Sequence, residues 1–294
     1  MKNRVCAVFI SYNPNNDIIS NVTALINQVE EIVVVDNGSC SKSQEYLDYL
    51  HNNHKVNVIH NNENLGIATA LNIGVKYGIS KGYDWIATFD QDSRAPEGYI
   101  DAMLNAYESC EYKDKVAIVA PRYLNETTGK VFAFSKKISE GKLFSDVRRT
   151  ITSGNLVKSN IFSDVGFFDE GLFIDYVDHE FCLRCMKNRL KIIQVYNSIL
   201  IHNLGSPSIH NLLRIKFTAI NHSPLRRYYK YRNMIIVYQR YLLLDVLSFL
   251  SDMKYCLVEL ITIFLFEEEK YIKMRYIITG ISHGLQGKAG KYQR

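Results

Sequence analysis

The 294-residue sequence contains no uninterrupted apolar run approaching the ~18 residues that a membrane-spanning helix needs. Its best stretch, Tyr255 to Phe266, includes Glu259 and stops at Glu267-Glu268-Glu269. A spanning protein is therefore not expected, only one in solution or lying on a membrane. A secretory leader is not expected either, since Met1-Lys2-Asn3-Arg4 runs straight into a strand-like segment, and a reducing cytoplasm is the expected compartment. Peripheral attachment to the inner face of the cell membrane stays open. The six cysteines (Cys6, Cys40, Cys110, Cys182, Cys185 and Cys256) supply a single CxxC at Cys182 and Cys185, with no second pair. Two helix residues one turn apart explain it better than a metal or redox site. No internal repeat is present. There is also no glycine-rich, basic phosphate loop near the N-terminus of the kind that marks nucleotidyltransferases, since the first turn is Ser11-Tyr12-Asn13-Pro14.

Hydrophobic residues make up 47% of the chain, enough to bury a full core. The basic excess, 35 Lys and Arg against 30 Asp and Glu, is uneven: residues 203–294 carry 14 basic and 6 acidic side chains, leaving 21 and 24 to residues 1–202. The interleaved tyrosines and leucines of this basic tail suit a membrane-surface face better than a nucleic-acid stripe, so no nucleic acid is expected.

Val5–Ser11, Glu31–Asp36, Val56–His60, Trp85–Asp90 and Val116–Pro121 are short β-branched or apolar runs, the first four separated by segments of helical period. This β-α-β-α order predicts an α/β fold with a mainly parallel central sheet, whose ligands gather beyond the carboxyl ends of the strands. The expectation can be checked inside the sequence. Ser11-Tyr12-Asn13, Asp36-Asn37-Gly38-Ser39 and Asp90-Gln91-Asp92 all fall at such ends. Beyond them, Lys136–Arg149 has the composition of a flexible loop, Ile151–Lys158 reads as a strand holding Ser153-Gly154-Asn155, Val177–Asn188 as a helix and Lys191–Ile201 as a strand. From Leu212 onward the chain looks helical, with Pro224 at a helix start.

The two carboxylates of Asp90-Gln91-Asp92 suit Mg2+ or Mn2+ bridging a diphosphate, although an isolated acidic pair more often caps the following helix. Asp36 is placed to accept hydrogen bonds from a base or ribose. The small residues following Asn64-Leu65-Gly66, namely Ala70 and Gly74 around Asn72, permit close approach either to a nucleotide or to the sheet.

Taken together, Val8 to Pro14, Val35 to Ser39, Asn64-Leu65-Gly66 with Asn72, and Asp90-Gln91-Asp92 resemble the inverting glycosyltransferase family two, of GT-A fold. Ser153-Gly154-Asn155, Gly166 to Glu170 and Phe173 to Arg184 look like its bacterial rhamnosyltransferase branch. The resemblance covers most of residues 4–205. It implies a dTDP-L-rhamnose donor and a growing surface polysaccharide as acceptor, with a UDP-sugar donor (galactofuranose, glucose or N-acetylglucosamine) or a non-catalytic scaffold subunit as alternatives. Donor contacts are expected from Ser11, Tyr12, Asn13, Asp36, Asn64, Gly66, Asn72, Asp90, Gln91 and Arg184. The metal would fall to Asp92 and Asp90, with His202 either completing that site or serving a structural role. In related enzymes an acidic residue six positions before the helix arginine is the general base; counting back from Arg184 gives Asp178. Val177 stands where many relatives carry Glu, and Asp175 and Glu180 lie close in sequence.

The expected organisation is a catalytic domain over 1–205 and a helical, basic region over 206–294 for membrane, acceptor or subunit contact. Leu225–Tyr241 would face lipid headgroups near a lipid-linked acceptor. Alternatively, Leu242–Leu250 and Tyr255–Phe266 would form a helical hairpin against the catalytic domain or a second copy in a homo-oligomer.

Overall fold

The computed structural model describes residues 3–126, 128–135, 141–202, 208–212 and 215–293. The chain forms two compact units, Met1–Glu170 with Val177–Asn203, and Gly171–Tyr176 with Leu204–Arg294.

The first unit runs β1 (Val5–Ser11), α1 (Asp17–Thr23), β2 (Glu31–Asp36), α2 (Ser41–His51), β3 (Val56–His60), α3 (Ile67–Ser80), β4 (Trp85–Asp90), β5 (Ser93–Arg94), α4 (Tyr99–Glu108), β6 (Val116–Asn125), β7 (Lys130–Phe132), β8 (Phe144–Val147), β9 (Asn155–Lys158), α5 (Ser159–Val165), α6 (Val177–Lys187) and β10 (Lys191–His202). One sheet orders them β3-β2-β1-β4-β9-β6-β10-β5, with β7 beside β6 and β8 beside β10. The strands from β3 to β4 are parallel, and β6 and β10 are parallel to each other, while the short β9 lies antiparallel between β4 and β6. Every residue of β1 is buried, as expected for a parallel strand covered on both faces. Small residues let α3 lie directly on this sheet: a Cβ at Gly74 would collide with Val8 Cγ1. Packing, not ligand access, explains the small residue there.

Several segments depart from the sequence-based expectation. The strand ending at Lys158 begins at Asn155 instead of Ile151, because the chain turns at Gly154 with φ +83°. Within the expected loop Lys136–Arg149, residues 136–140 lie outside the described residues, while Phe144–Val147 pairs with Val195–Ile192 as a strand. The helical reading from Leu212 is corrected by an antiparallel pair, β11 (Ser208–Leu212) with β12 (Ile215–Ala219); β-branched Ile and Thr suit that pair.

The second unit continues with α7 (Pro224–Tyr241), α8 (Val246–Phe266) and α9 (Lys270–Leu285). The expected break near residues 251–254 is absent, so α8 is one continuous helix. Pro224 does open α7, with Ser223 Oγ accepting from the Arg226 amide. Gly280 and Gly284 bring α9 against α7: a Cβ at Gly280 would stand 2.5 Å from the Tyr228 carbonyl oxygen. The interior of this unit holds an ionic cluster beside the apolar one built from Met234, Tyr238, Ile263 and Ile277. Arg227, 1% exposed, pairs with Glu259 and, at 2.8 Å, with Glu267, which also binds Lys273 at 2.9 Å. Tyr231 donates to Glu259 at 3.0 Å.

Gly171–Tyr176 is held by the same unit. The Asn233 amide, fully buried, donates to the carbonyls of Leu172, Ile174 and Asp175 at 2.7–2.8 Å, and Arg232 donates to those of Gly171 and Leu172 at 3.0 Å. Phe173, Asp175 and Tyr176 all have φ of 63–64°. Left-handed backbone at three non-glycine residues costs of order 1–3 kcal/mol each, and these fixed hydrogen bonds oppose its relaxation.

Candidate active site

The ends of β1, β2, β4 and β10 gather the polar groups of the first unit. Gln91 joins two of these ends: its Oε1 accepts from the Tyr12 amide at 2.8 Å and its carbonyl accepts from Asn21 at 2.8 Å. Asn13, at φ 48°, is tied to the second strand end, its amide donating to Ser39 Oγ and its Oδ1 accepting from the Cys40 amide, both at 2.8 Å. A cleft of about 380 Å3 opens beside them, lined among others by Asn13, Asp17, Gln91, Asp92 and Arg94. That volume falls within the ordinary range for ligand sites.

Asp90, Asp92 and His202 come together, one ligand atom of each lying within 4.8 Å of the others. The register that achieves this is the two-residue β5, which pairs Ser93 with His202 and Arg94 with Ile201. Ser93 Oγ shares hydrogen bonds of 2.7 Å with both His202 Nδ1 and Ser153 Oγ, and Ser153 Oγ accepts from the Asp90 amide at 3.0 Å. His202 Nδ1 also stands 3.5 Å from Asp92 Oδ1. Two carboxylates and an imidazole are oxygen and nitrogen donors of the kind that could hold a divalent cation. Gly154 makes the Ser153 placement possible: its amide donates to the Thr88 carbonyl at 2.6 Å, and a Cβ there would stand 2.5 Å from Tyr99 Oη.

Asp178 sits in the first turn of α6 and is half-buried, its Oδ1 accepting from the His179 amide at 2.7 Å. With Thr88, Thr152 and Cys182 it borders a cavity of about 10 Å3. Burial pushes the Tyr123 hydroxyl well above the usual tyrosine range; its bond to Thr150 opposes this, and the charges of Asp178 and Asp90 add to it. Both carboxylates are thus near enough to act on one buried phenol.

Other expected site residues are committed to protein partners. Asp36 is 1% exposed and accepts from the amide and hydroxyl of Ser39, from Gln44 at 3.3 Å and from His60 at 3.1 Å. A ribose or base would have to replace Gln44 or His60, since a carboxylate offers about four acceptor sites. Asn64 Oδ1 accepts from the Gly66 amide and from Asn37, holding the turn into α3. Asn72 exchanges two hydrogen bonds of 2.9 Å with the Phe168 backbone and donates to Glu170 at 2.8 Å. Arg184 grips Glu180 through two nitrogens and the Val165 carbonyl through the third, which occupies both Glu180 and Arg184. Asp175 pairs with Arg226 at 3.3 Å. Ser11 Oγ is buried without a hydrogen-bond partner among the described residues. Cys182 and Cys185 lie buried on α6 with thiols pushed up by burial, which leaves the CxxC as packing.

The sequence model of the family described as Glycosyl transferase family 2 matches residues 6–162, more than half of the chain. The chain belongs to glycosyl transferase family 2. This family-two glycosyltransferase is 31% identical to the dTDP-rhamnosyl transferase RfbF of Shigella flexneri, over 99% of the chain and 98% of that relative. It is 24% identical to the low-salt glycan biosynthesis hexosyltransferase Agl10 of Haloferax volcanii, over 67% of the chain and 66% of the relative. Against the poly-beta-1,6-N-acetyl-D-glucosamine synthase of Staphylococcus aureus the identity is 26%, over 60% of the chain and 43% of that relative. Among solved structures, GalNAc-T7 with UDP, GalNAc and Mn2+ superposes with a TM-score of 0.61 at 15% identity, covering 80% of the chain; the chain spans about half of that one, 47%. That likeness shows the GT-A fold of the glycosyltransferase.

Proposed function

We propose that the chain transfers L-rhamnose from dTDP-L-rhamnose, with inversion, to a hydroxyl of a growing bacterial surface polysaccharide whose acceptor is lipid-linked. The observation carrying this reading is the 31% identity to a dTDP-rhamnosyl transferase along nearly the whole length of both chains. Asp90, Asp92 and His202 would hold Mg2+ or Mn2+, which when bound offsets negative charge on the departing diphosphate. Asn13 and Gln91 line the cleft and would meet the donor, Gln91 being tied to the Tyr12 amide, and Asp36 keeps the β2 turn in place through Ser39.

Asp178 acts as general base. Its carboxylate takes the proton of the acceptor hydroxyl while that oxygen bonds to the anomeric carbon and the bond to the nucleotide phosphate breaks, dTDP leaving with the electron pair. One displacement from the face opposite the nucleotide inverts the anomeric carbon. Asp175 and Glu180 are each engaged by an arginine; what supports Asp178 is its place six positions before Arg184 and the small cavity it borders with Thr88 and Thr152.

Calorimetric titration of dTDP, UDP and GDP into the protein, with Mn2+ and again with EDTA, tests the donor and the metal without an acceptor. A Mn2+-dependent preference for dTDP is expected. A preference for UDP would replace rhamnose by a UDP-sugar, and binding of none would favour a scaffold subunit.

A further inference from the structure

α8 leaves an apolar stripe exposed where a helix at a protein surface usually carries polar groups. Glu259 and Thr262 lie buried with Cys256 and Ile263 on its inner side, and Asp252 accepts from Tyr176 and Tyr238 at 2.9 and 2.7 Å. Leu247, Leu250, Leu257, Ile261, Phe264 and Leu265 occupy its exposed side, with Leu247 78% and Phe264 72% exposed. Spacings of three, four and seven residues set most of them in one stripe along a helix roughly 32 Å long. Leu243, just ahead of the helix, is 93% exposed. At roughly 150–200 Å² for a fully exposed large apolar side chain, the exposed fractions along Leu243–Leu265 amount to roughly 1,000 Å². The largest apolar patch on a typical monomer is about 300–600 Å².

We propose that this face beds α8 in the plane of an anionic lipid bilayer, at the boundary between headgroups and acyl chains. Charge decides between a bilayer and other occupants. The charged side chain at α8's exposed positions is Lys254. Lys270, exposed, has its Nζ 5.8 Å from the Phe264 ring centroid, so an ammonium group flanks the apolar face, as it does where a stem enters an apolar layer and the nitrogen meets phosphate; Lys230, 4.4 Å from the Tyr255 ring centroid, is instead paired with Glu259 at 2.6 Å. The unit keeps its negative charge inside: Asp245, Glu259 and Glu267 are buried and Asp252 half-buried, whereas Arg226, Arg240, Lys254, Lys270, Arg275 and Lys288 are exposed. Of the acidic side chains only Glu268 and Glu269 are exposed among the described residues. A second copy would present the same basic excess and no carboxylate from its own α8 face to meet Lys254. No described helix is long and apolar enough to cross a membrane, which leaves the in-plane arrangement. The sequence assigned the lipid face to Leu225–Tyr241, but α7 buries most of it, including Arg227, Tyr228, Tyr231 and Arg232.

The test uses the full chain without donor or acceptor, so its outcome is independent of the sugar. Flotation with vesicles of phosphatidylglycerol and phosphatidylethanolamine is expected to carry the protein, far more than vesicles of phosphatidylcholine alone, and raised salt should weaken binding several-fold. Leu250→Ser combined with Leu257→Ser, both at exposed positions, should lower vesicle binding about tenfold or more with an unchanged melting curve. Lys254→Glu should reduce binding to the anionic vesicles more than to phosphatidylcholine. A wild-type protein that ignores vesicles overturns the proposal; if it sediments as a dimer that the leucine double variant splits, the face is a subunit interface instead.

Discussion

The two units handle charge in opposite ways. In the first, an apolar sheet carries its acids at the strand ends, with Asp90 half-buried and Asp92 exposed in the lining of a cleft. In the second, Arg227, Glu259, Glu267 and Lys273 are enclosed while leucines face outward. Charge at a rim is available for chemistry. Charge in an interior is spent on choosing one packing, since removing one partner leaves the other buried without compensation.

That contrast predicts which substitutions change turnover and which change stability. Asp178→Asn should lower kcat by roughly 10²–10⁴-fold while nucleotide affinity and the urea midpoint stay at wild-type values; a shifted midpoint would show that Asp178 supports the fold. Arg227→Ala should destabilise by about 3–5 kcal/mol, read from urea unfolding, and an effect below about 1 kcal/mol would mean that the ionic interior contributes no more than a surface pair. Ser93→Ala removes the link between His202 and Ser153, and Mn2+ affinity by calorimetry should fall about tenfold or more, with no loss of thermal stability comparable to that of Arg227→Ala.

The smallest expected effect is a pH dependence confined to the second unit. Burial, with Arg226 and Arg227 adding, pushes the His222 imidazole down to about 4, against smaller opposing effects of Asp175 and Glu259. An unfolded chain then binds more protons than the folded one between about pH 6.5 and 4. Stability contributed by neutral His222 is complete above about pH 6.5 and is lost as pH falls through that window. His222→Gln should flatten the decline of melting temperature there; an unchanged slope would place its origin in other groups. Glu267 acts lower in the scale. Burial alone would raise its carboxyl, but the Lys273 hydrogen bond and the Arg227 charge outweigh burial and hold it below the ordinary value, so its contribution disappears only on further acidification.

The sheet was legible because each of β1 to β4 is a closed apolar run ending in a polar turn, and their boundaries coincide with those expected. Asp90 and Asp92 stood out for the same reason. Ser93 did not: a two-residue strand has no period, and its partner His202 lies 109 residues away. The roles of Asn72 and Arg184 were hidden differently, since their partners, Phe168 and Glu180, are ordinary motif neighbours until the fold closes their hydrogen bonds. In the tail the sequence showed basic residues among tyrosines but not their direction. Arg227 and Lys254 look alike in a sequence, and one is enclosed by carboxylates while the other faces outward.

Because Gly171–Tyr176 belongs with the C-terminal helices, the chain passes between the two units three times. A cut at residue 205 would therefore not yield a self-sufficient catalytic part: it would leave the carbonyls of Gly171, Leu172, Ile174 and Asp175 without Arg232 and Asn233, two residues upstream of α6. The tail cannot be exchanged as a cassette. Grafting a relative's C-terminal helices onto this enzyme requires that the six-residue segment travel with them, so these two stretches of sequence behave as one part.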